Sequence, residues 1–217
     1  EYQRLRQQAG LLDISPLYKY EIRGVRASEF LSFLLVRDVR GLKPGRLVYT
    51  CFCDDAGKVL DDGTLWRLDE QRFRLTSAEP TLHWLLRVSD GFHVEIKDVS
   101  QSVAALALQG PTSASILTAL TGDDWLSLPY FGARAAKFDH AAVEITRTGY
   151  TGDLGYEIWL NAGDALVVWD QVMRAGQHWG LIPIGLEALE RVSIEAGYII
   201  NGVDYLSARS CVLERQK

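Results

Sequence analysis

Three short runs follow one another with very little chain between them: "RLVYTCFC" from Arg46, "KVLDDGTLWRL" from Lys58 and "RFRLTSA" from Arg72. Each is rich in β-branched, aromatic and aliphatic residues, and "DDAG" and "DEQ" are the only links. Links this short join antiparallel neighbours, so the three runs read as consecutive hairpins.

Helical patterns surround this sheet. "EYQRLRQQAG" reads as a short helix stopped at Gly10, "LYKYEIRG" as a strand, and "RASEFLSFLL" as a helix with Ser28 as its N-cap. "PTLHWLLRV" and "PTSASILTAL" are helices led by proline. A second unit is expected from Phe92, with strands in "FHVEIKDVS", "VAALALQG", "AAVEITRTG" and "GYEIWL". "DALVVWDQVMRAGQHWG" is amphipathic, with Leu166, Trp169, Val172 and Met173 on one face, and "GLEALERVSIEAG" is a helix ending at Gly197. Hairpins mixed with helices imply an α+β chain of antiparallel and mixed sheets with flanking helices. Two lobes are expected, 1–91 and 92–217.

Composition narrows the function. The 217 residues are 47% hydrophobic and 24% charged, enough for one large or two modest domains. A net charge of −5 argues against wholesale nucleic-acid binding. No window holds the roughly 18 apolar residues of a membrane span. Three cysteines, Cys51, Cys53 and Cys211, are too few and odd in number for a disulfide framework, which fits a reducing, cytoplasmic setting. "CFC" lacks a second Cys/His pair, so no metal is expected and the thiols read as buried apolar groups. His83, His93, His140 and His178 pair with no Ser or Cys at a nucleophile spacing.

"RTGYTGDLGYEI", Arg147 to Ile158, carries Gly149, Gly152 and Gly155. A phosphate-binding glycine loop leads from a strand into a helix N-terminus. Here the residues that follow, "YEIWL", form a strand, so the glycines belong to a strand–turn–strand connection and supply positive φ. Alternation places Glu157 with Trp159 on one strand face. Either that face is wet and Trp159 partly exposed, or both line a cavity for a flat, polar heterocycle. A carboxylate accepts two hydrogen bonds side by side, which suits an N–H/NH₂ edge.

Asp61 and Asp62 present a second anomaly. Strict alternation puts Asp62 with Leu60, Thr64, Trp66 and Leu68, the more apolar face, and points Asp61 away. A carboxylate there needs a partner, and is a candidate acid/base or a partner for a developing cation. Alternatively, Asp61, Asp62 and Gly63 form a bulge or turn with both carboxylates in water.

Five stretches in order carry a family resemblance: "AGLLDIS", "GKVLDD", "LALQGP", "RTGYTGDLGYEI" and "GLEALERVSIEAGY". Together they resemble the glycine-cleavage T-protein family, tetrahydrofolate-dependent aminomethyltransferases with demethylase relatives. The resemblance spans essentially the whole chain. It implies a folate-binding α+β fold, with Asp62 near the reacting nitrogen and Glu157 holding the pterin edge. It also implies that Tyr49 and Tyr150 line the same cavity. Three positions depart from the family pattern: Leu189 and Ser193 stand where it has arginines, and Thr76 where it has asparagine.

The implied function is one-carbon transfer to tetrahydrofolate, aminomethyl or methyl, from a small-molecule amine, sulfonium or methyl ether. The alternatives are a non-catalytic folate-binding protein and an inactive truncated form. The family chain continues into a barrel-like third lobe, so a form lacking that lobe is expected. Val203, Tyr205, Leu206, Val212 and Leu213 would then be exposed, or covered by self-association or a partner chain.

Overall fold

A computed structural model describes residues 1–211. Its strands are β1 (Gly10–Asp13), β2 (Tyr18–Arg23), β3 (Arg46–Cys53), β4 (Val59–Arg67), β5 (Arg72–Ser77), β6 (Glu95–Asp98), β7 (Val103–Gln109), β8 (Ala133–Phe138), β9 (Ala141–Thr146), β10 (Gly155–Asn161) and β11 (Ile182–Pro183). Its α-helices are α1 (Tyr2–Gln7), α2 (Ala27–Leu34), α3 (Leu82–Val88), α4 (Ser113–Thr121), α5 (Ala165–Gly176) and α6 (Leu186–Glu195). The α+β class is as expected.

The chain does not divide near Phe92. One unit comprises residues 1–16 and 101–198, the other 17–100 together with 199–211. The reason is strand pairing. β1 lies antiparallel to β7, with Gly10 opposite Gln109, so the first residues join the later sheet. β6 pairs with β2, so "EIKD" stays with the earlier one.

The first unit holds a six-stranded sheet ordered β11-β1-β7-β10-β9-β8. β1, β8 and β11 were not legible in the sequence. "GLLD" is only four residues long, and "ARAAKF" has neither alternation nor β-branched residues. The core face of β10 presents Tyr156, Ile158 and Leu160 to α4 and α5 residues such as Ile116, Leu117, Val168 and Val172. Leu166 is not on that face: it is 82% exposed, while Val168 and Val172 are fully buried. The 100° step of a helix carries Val168, Val172 and Gly176 inward and Leu166 out.

The second unit holds the five-stranded sheet β3-β4-β5-β2-β6. The β3–β4 turn is tied by Asp54, whose carboxylate accepts from the amides of Ala56 and Lys58, each at 2.9 Å. Gly57 supplies the positive φ, +77°. α2 buries Ala27, Phe30, Leu31 and Leu34 against Tyr20, Phe52, Leu65 and Phe73. Its N-cap is Arg26 rather than Ser28, with no side-chain cap.

The segment after Gly197 returns along β4. The Ala208 amide donates to the Val59 carbonyl at 2.8 Å and the Ser207 hydroxyl to the Leu60 carbonyl at 2.5 Å. Val203 and Leu206 are exposed, Tyr205 is half-buried, and Val212 and Leu213 lie outside the described residues. No helix among the described residues is long and apolar enough to cross a membrane.

Candidate functional site

The first unit gathers its polar chemistry around Glu157. Register puts Glu157 opposite Thr146 on β9 and opposite Ala107 on β7. Thr146 and Thr148 are buried, and Trp159 is only 3% exposed. The wet-face alternative therefore fails at Trp159. Its indole Nε1 donates to Thr146 Oγ1 at 3.1 Å, Thr146 and Thr148 share a hydroxyl contact of 2.6 Å, and Thr148 donates to Glu157 Oε2 at 2.7 Å. Burial pushes the Glu157 carboxyl above its ordinary range, against the pull of the two threonine hydroxyls. Among the described residues Oε1 accepts no hydrogen bond. Glu157 is thus fixed through Oε2.

The glycines before it are explained by packing more than by φ. Only Gly152 has positive φ, +73°. A Cβ on Gly149 or Gly155 would lie 1.9 Å from Gln109 Oε1. The two glycines open a slot for the buried Gln109 amide. Its Nε2 donates to the Thr148 and Tyr156 carbonyls at 3.2 and 3.1 Å, and its Oε1 accepts from the Thr151 hydroxyl at 3.2 Å. The expectation that all three glycines supply positive φ is corrected accordingly. Gln109, in "LALQGP", gave no signal of this role in the sequence.

Aromatic side chains flank the turn. Tyr150 stacks on Tyr198 with ring centroids 4.8 Å apart and planes at 28°. A cavity of about 240 Å³ is lined by Tyr130, Thr148, Tyr198 and the glycine turn. Burial, with Tyr198 and Glu157 nearby, pushes the Tyr130 phenol up. Arg6 of α1 ties the turn to α6. Its guanidinium pairs with Asp153 in the turn and with Glu195 at the end of α6, three residues before Tyr198.

The second unit gathers Tyr49, Asp62 and Tyr205. β3 and β4 pair Asp62 with Cys51 and Thr64 with Tyr49, so these four share a face. Asp61 faces the other way, opposite Phe52, as alternation requires. The apolar face, however, is that of Asp61. The register slips between Phe52 and Cys53, so Leu60 is a bulge residue and joins the core with Phe52 and Leu65. Asp61 is fully buried. Its carboxylate accepts from the amides of Asp62 and Glu79, each at 2.9 Å, and from Asn201 Nδ2 at 3.2 Å. Asp61 is a structural carboxylate, while Asp62 is half-buried on the accessible face.

Asp62 is held at both oxygens. Tyr49 donates to Oδ2 and Tyr205 to Oδ1, each at 2.6 Å. Gly63 fixes the strand beneath it, because a Cβ there would lie 1.9 Å from the Thr76 carbonyl oxygen. Thr76, which departs from the family pattern's asparagine, bonds across to Thr64, hydroxyl to hydroxyl at 2.7 Å. Cys51 is half-buried beside Asp62, not a buried apolar thiol, and Cys53 and Cys211 are likewise half-buried. No group of three or more potential metal ligands occurs among the described residues.

Tyr49 and Asp62 therefore share a cluster in the second unit; in the first, Glu157 bonds to Thr148, which lines the cavity with Tyr198, the ring on which Tyr150 stacks. Tyr198, Thr148 and Tyr205 join them without having been anticipated. Glu157 can accept from a ligand's N–H donors, beside aromatic faces suited to a flat ring. Asp62 can stabilise a cation or hold a proton at either oxygen.

Residues 1–212 match the family described as GCVT N-terminal domain. An aminomethyltransferase from Alkaliphilus metalliredigens is 35% identical over 207 residues, covering 93% of this chain and 56% of its own length. The crystal structure of glycine cleavage system aminomethyltransferase T from Bartonella henselae superposes with a TM-score of 0.82 at 31% identity, covering 92% of this chain and 54% of that one. The heterotetrameric sarcosine oxidase from Corynebacterium sp. U-96 shares the fold, with a TM-score of 0.61 at 17% identity over 82% of this chain and 88% of that one. The chain spans just over half the length of the first two relatives.

Proposed function

We propose, from the premise that the chain belongs to the GCVT N-terminal domain family, that it binds tetrahydrofolate and serves aminomethyl transfer. The observation that carries this reading is the buried Glu157 carboxylate: its Oε2 accepts from Thr148 at 2.7 Å, and Thr148 in turn lines a cavity together with Tyr130 and Tyr198. That donor set fits a pterin, whose edge presents N–H and NH₂ groups to a carboxylate. The names of the aminomethyltransferase relatives support the reaction type.

Bound tetrahydrofolate would supply a nucleophilic nitrogen, N5. Glu157 would accept the pterin N–H donors in its ionised form, and Tyr150, stacked on Tyr198, would offer a flat face. Asp62 would stabilise positive charge at the amine nitrogen and hold a proton at Oδ1 or Oδ2. Orientation and electrostatics are what the protein contributes.

One observation favours a second reading of the donor. Leu189 and Ser193 stand where the family pattern has arginine. Leu189 is partly buried against the core cluster that holds Leu5 and Val192, and Ser193 is buried, donating to the Glu190 carbonyl at 2.9 Å. No guanidinium is offered from those positions, which favours a donor without an anionic group, such as a methylated amine, sulfonium or methyl ether. The experiment is a calorimetric titration with tetrahydrofolate, followed by mass spectrometry of the folate after incubation with an aminomethyl or a methyl donor. Saturable binding and a folate that gains its carbon from the aminomethyl donor are expected. Gain from the methyl donor alone selects the second reading. Absence of binding removes both.

A further inference from the structure

We propose that Tyr205 is a positioning residue for Asp62, fixing its carboxylate together with Tyr49. The inference rests on the catalytic reading of Asp62 given above. Tyr205 lies in the segment that returns to β4 after α6, far in sequence from the strand it serves.

The geometry is specific. Tyr49 reaches Asp62 from the neighbouring strand β3, and its hydroxyl takes Oδ2. Tyr205 comes from the opposite end of the unit's sequence and takes Oδ1. A carboxylate held by one donor rotates about χ2 with little resistance, whereas two donors at separate oxygens fix its plane. Charge-assisted O–H···O⁻ bonds of 2.5–2.7 Å are the strong class, and both contacts fall in it.

The segment carrying Tyr205 is anchored independently on both sides. Upstream, Asn201 donates to Asp61 at 3.2 Å, while the turn itself is closed by the Ile200 amide donating to Asp204 at 2.7 Å. Downstream, Ser207 and Ala208 donate to the Leu60 and Val59 carbonyls, and Arg209 donates to the Pro80 carbonyl at 2.9 Å. The segment is therefore anchored on either side of Tyr205 by bonds that do not involve Asp62. That is the arrangement expected of a group that orients another.

Electrostatics agree with the geometry. Tyr205 faces Asp62 and Asp61 on β4 and Tyr49 on β3. Burial, with the Asp62 carboxylate as hydrogen-bond acceptor, holds its phenol far above the usual tyrosine range. Tyr205 thus remains a neutral donor wherever Asp62 is ionised, and does not compete with it as a base.

The experiment has two arms. In the first, ¹³Cζ-tyrosine is incorporated and the Tyr205 resonance is assigned by its loss in Tyr205→Phe. Asp62→Asn should shift that resonance in ligand-free protein, because the acceptor changes from carboxylate to amide. An unmoved resonance overturns the proposal. In the second, Tyr205→Phe, which keeps the ring, should lower kcat by between about ten- and a hundredfold with KM for folate little changed, the signature of a misplaced reacting group. In the Asp62→Asn background the same change should cost nothing more. Unaltered kcat, or a rise in KM alone, overturns the positioning role. If the wild type transfers nothing, the proposed function falls, and a shifted resonance still establishes that Tyr205 holds Asp62.

Discussion

Thr148 donates its hydroxyl to Glu157 Oε2 at 2.7 Å, and its carbonyl accepts the Gln109 side-chain amide at 3.2 Å. One threonine therefore couples the candidate ligand-binding carboxylate to the slot that two glycines keep open. The turn and the carboxylate should respond to mutation as a unit.

That coupling makes Gly155→Ala destabilising by about 1–3 kcal/mol, since a methyl group must displace the Gln109 amide or the strand. Gln109→Ala alone also destabilises, because the Thr148 and Tyr156 carbonyls lose a buried donor. The double variant should be less destabilised than the sum, because deleting the amide makes room for the methyl. Urea unfolding of the four proteins measures this coupling. Strict additivity would mean that Gly155 is required for another reason.

The two aspartates should separate by phenotype. Asp61→Asn places an NH₂ group among three donors in a fully buried site, and should destabilise by about 2–3 kcal/mol. Asp62→Asn, half-buried and facing two rotatable tyrosine hydroxyls, should cost less stability and cut turnover by about a hundredfold or more. Thermal melts and rates on the same preparations check both. A stability loss larger at Asp62 than at Asp61 would contradict the register on which the assignment rests.

Glu157 predicts a pH dependence with a definite sign. An unfolded glutamate titrates at about pH 4.3, and the folded group titrates above its ordinary range because of burial. Between those two values the native state binds the extra proton, so stability falls as pH rises through the interval and levels off above it. Glu157→Gln lacks the group. Its stability relative to wild type should therefore increase from acid toward neutral pH. Melting curves at several pH values test this, and a difference that is flat or shrinks with pH would show that Glu157 ionises freely.

Much of this was legible beforehand, and the failures have physical causes. Glu157, with Trp159 beside it, could be read because strand alternation is local and "YEIWL" has no interruption. The burial of Trp159 could not, because it depends on Thr146 and Thr148 in a neighbouring strand and turn. The orientation of Asp61 and Asp62 was correct, but the choice of core face was not. A single bulge residue, Leu60, moved the apolar weight to the Asp61 side. Phe92 looked like a boundary because no local signal shows that β1 pairs across ninety-odd residues with β7. Tyr205 left no trace for a similar reason: its role exists only once a distant segment returns to β4.

The pterin assignment of Glu157 is tested most directly by titrating tetrahydrofolate into the wild type and Glu157→Gln at neutral pH. The substitution keeps the shape, leaves one acceptor oxygen and turns the other toward the ligand as an NH₂ donor. Affinity should fall by about 2–3 kcal/mol, roughly thirty- to a hundred-and-fiftyfold, as when a charge-assisted hydrogen bond is lost and a donor is left unmatched. Equal affinities for the two proteins would contradict the assignment and remove Glu157 from the site.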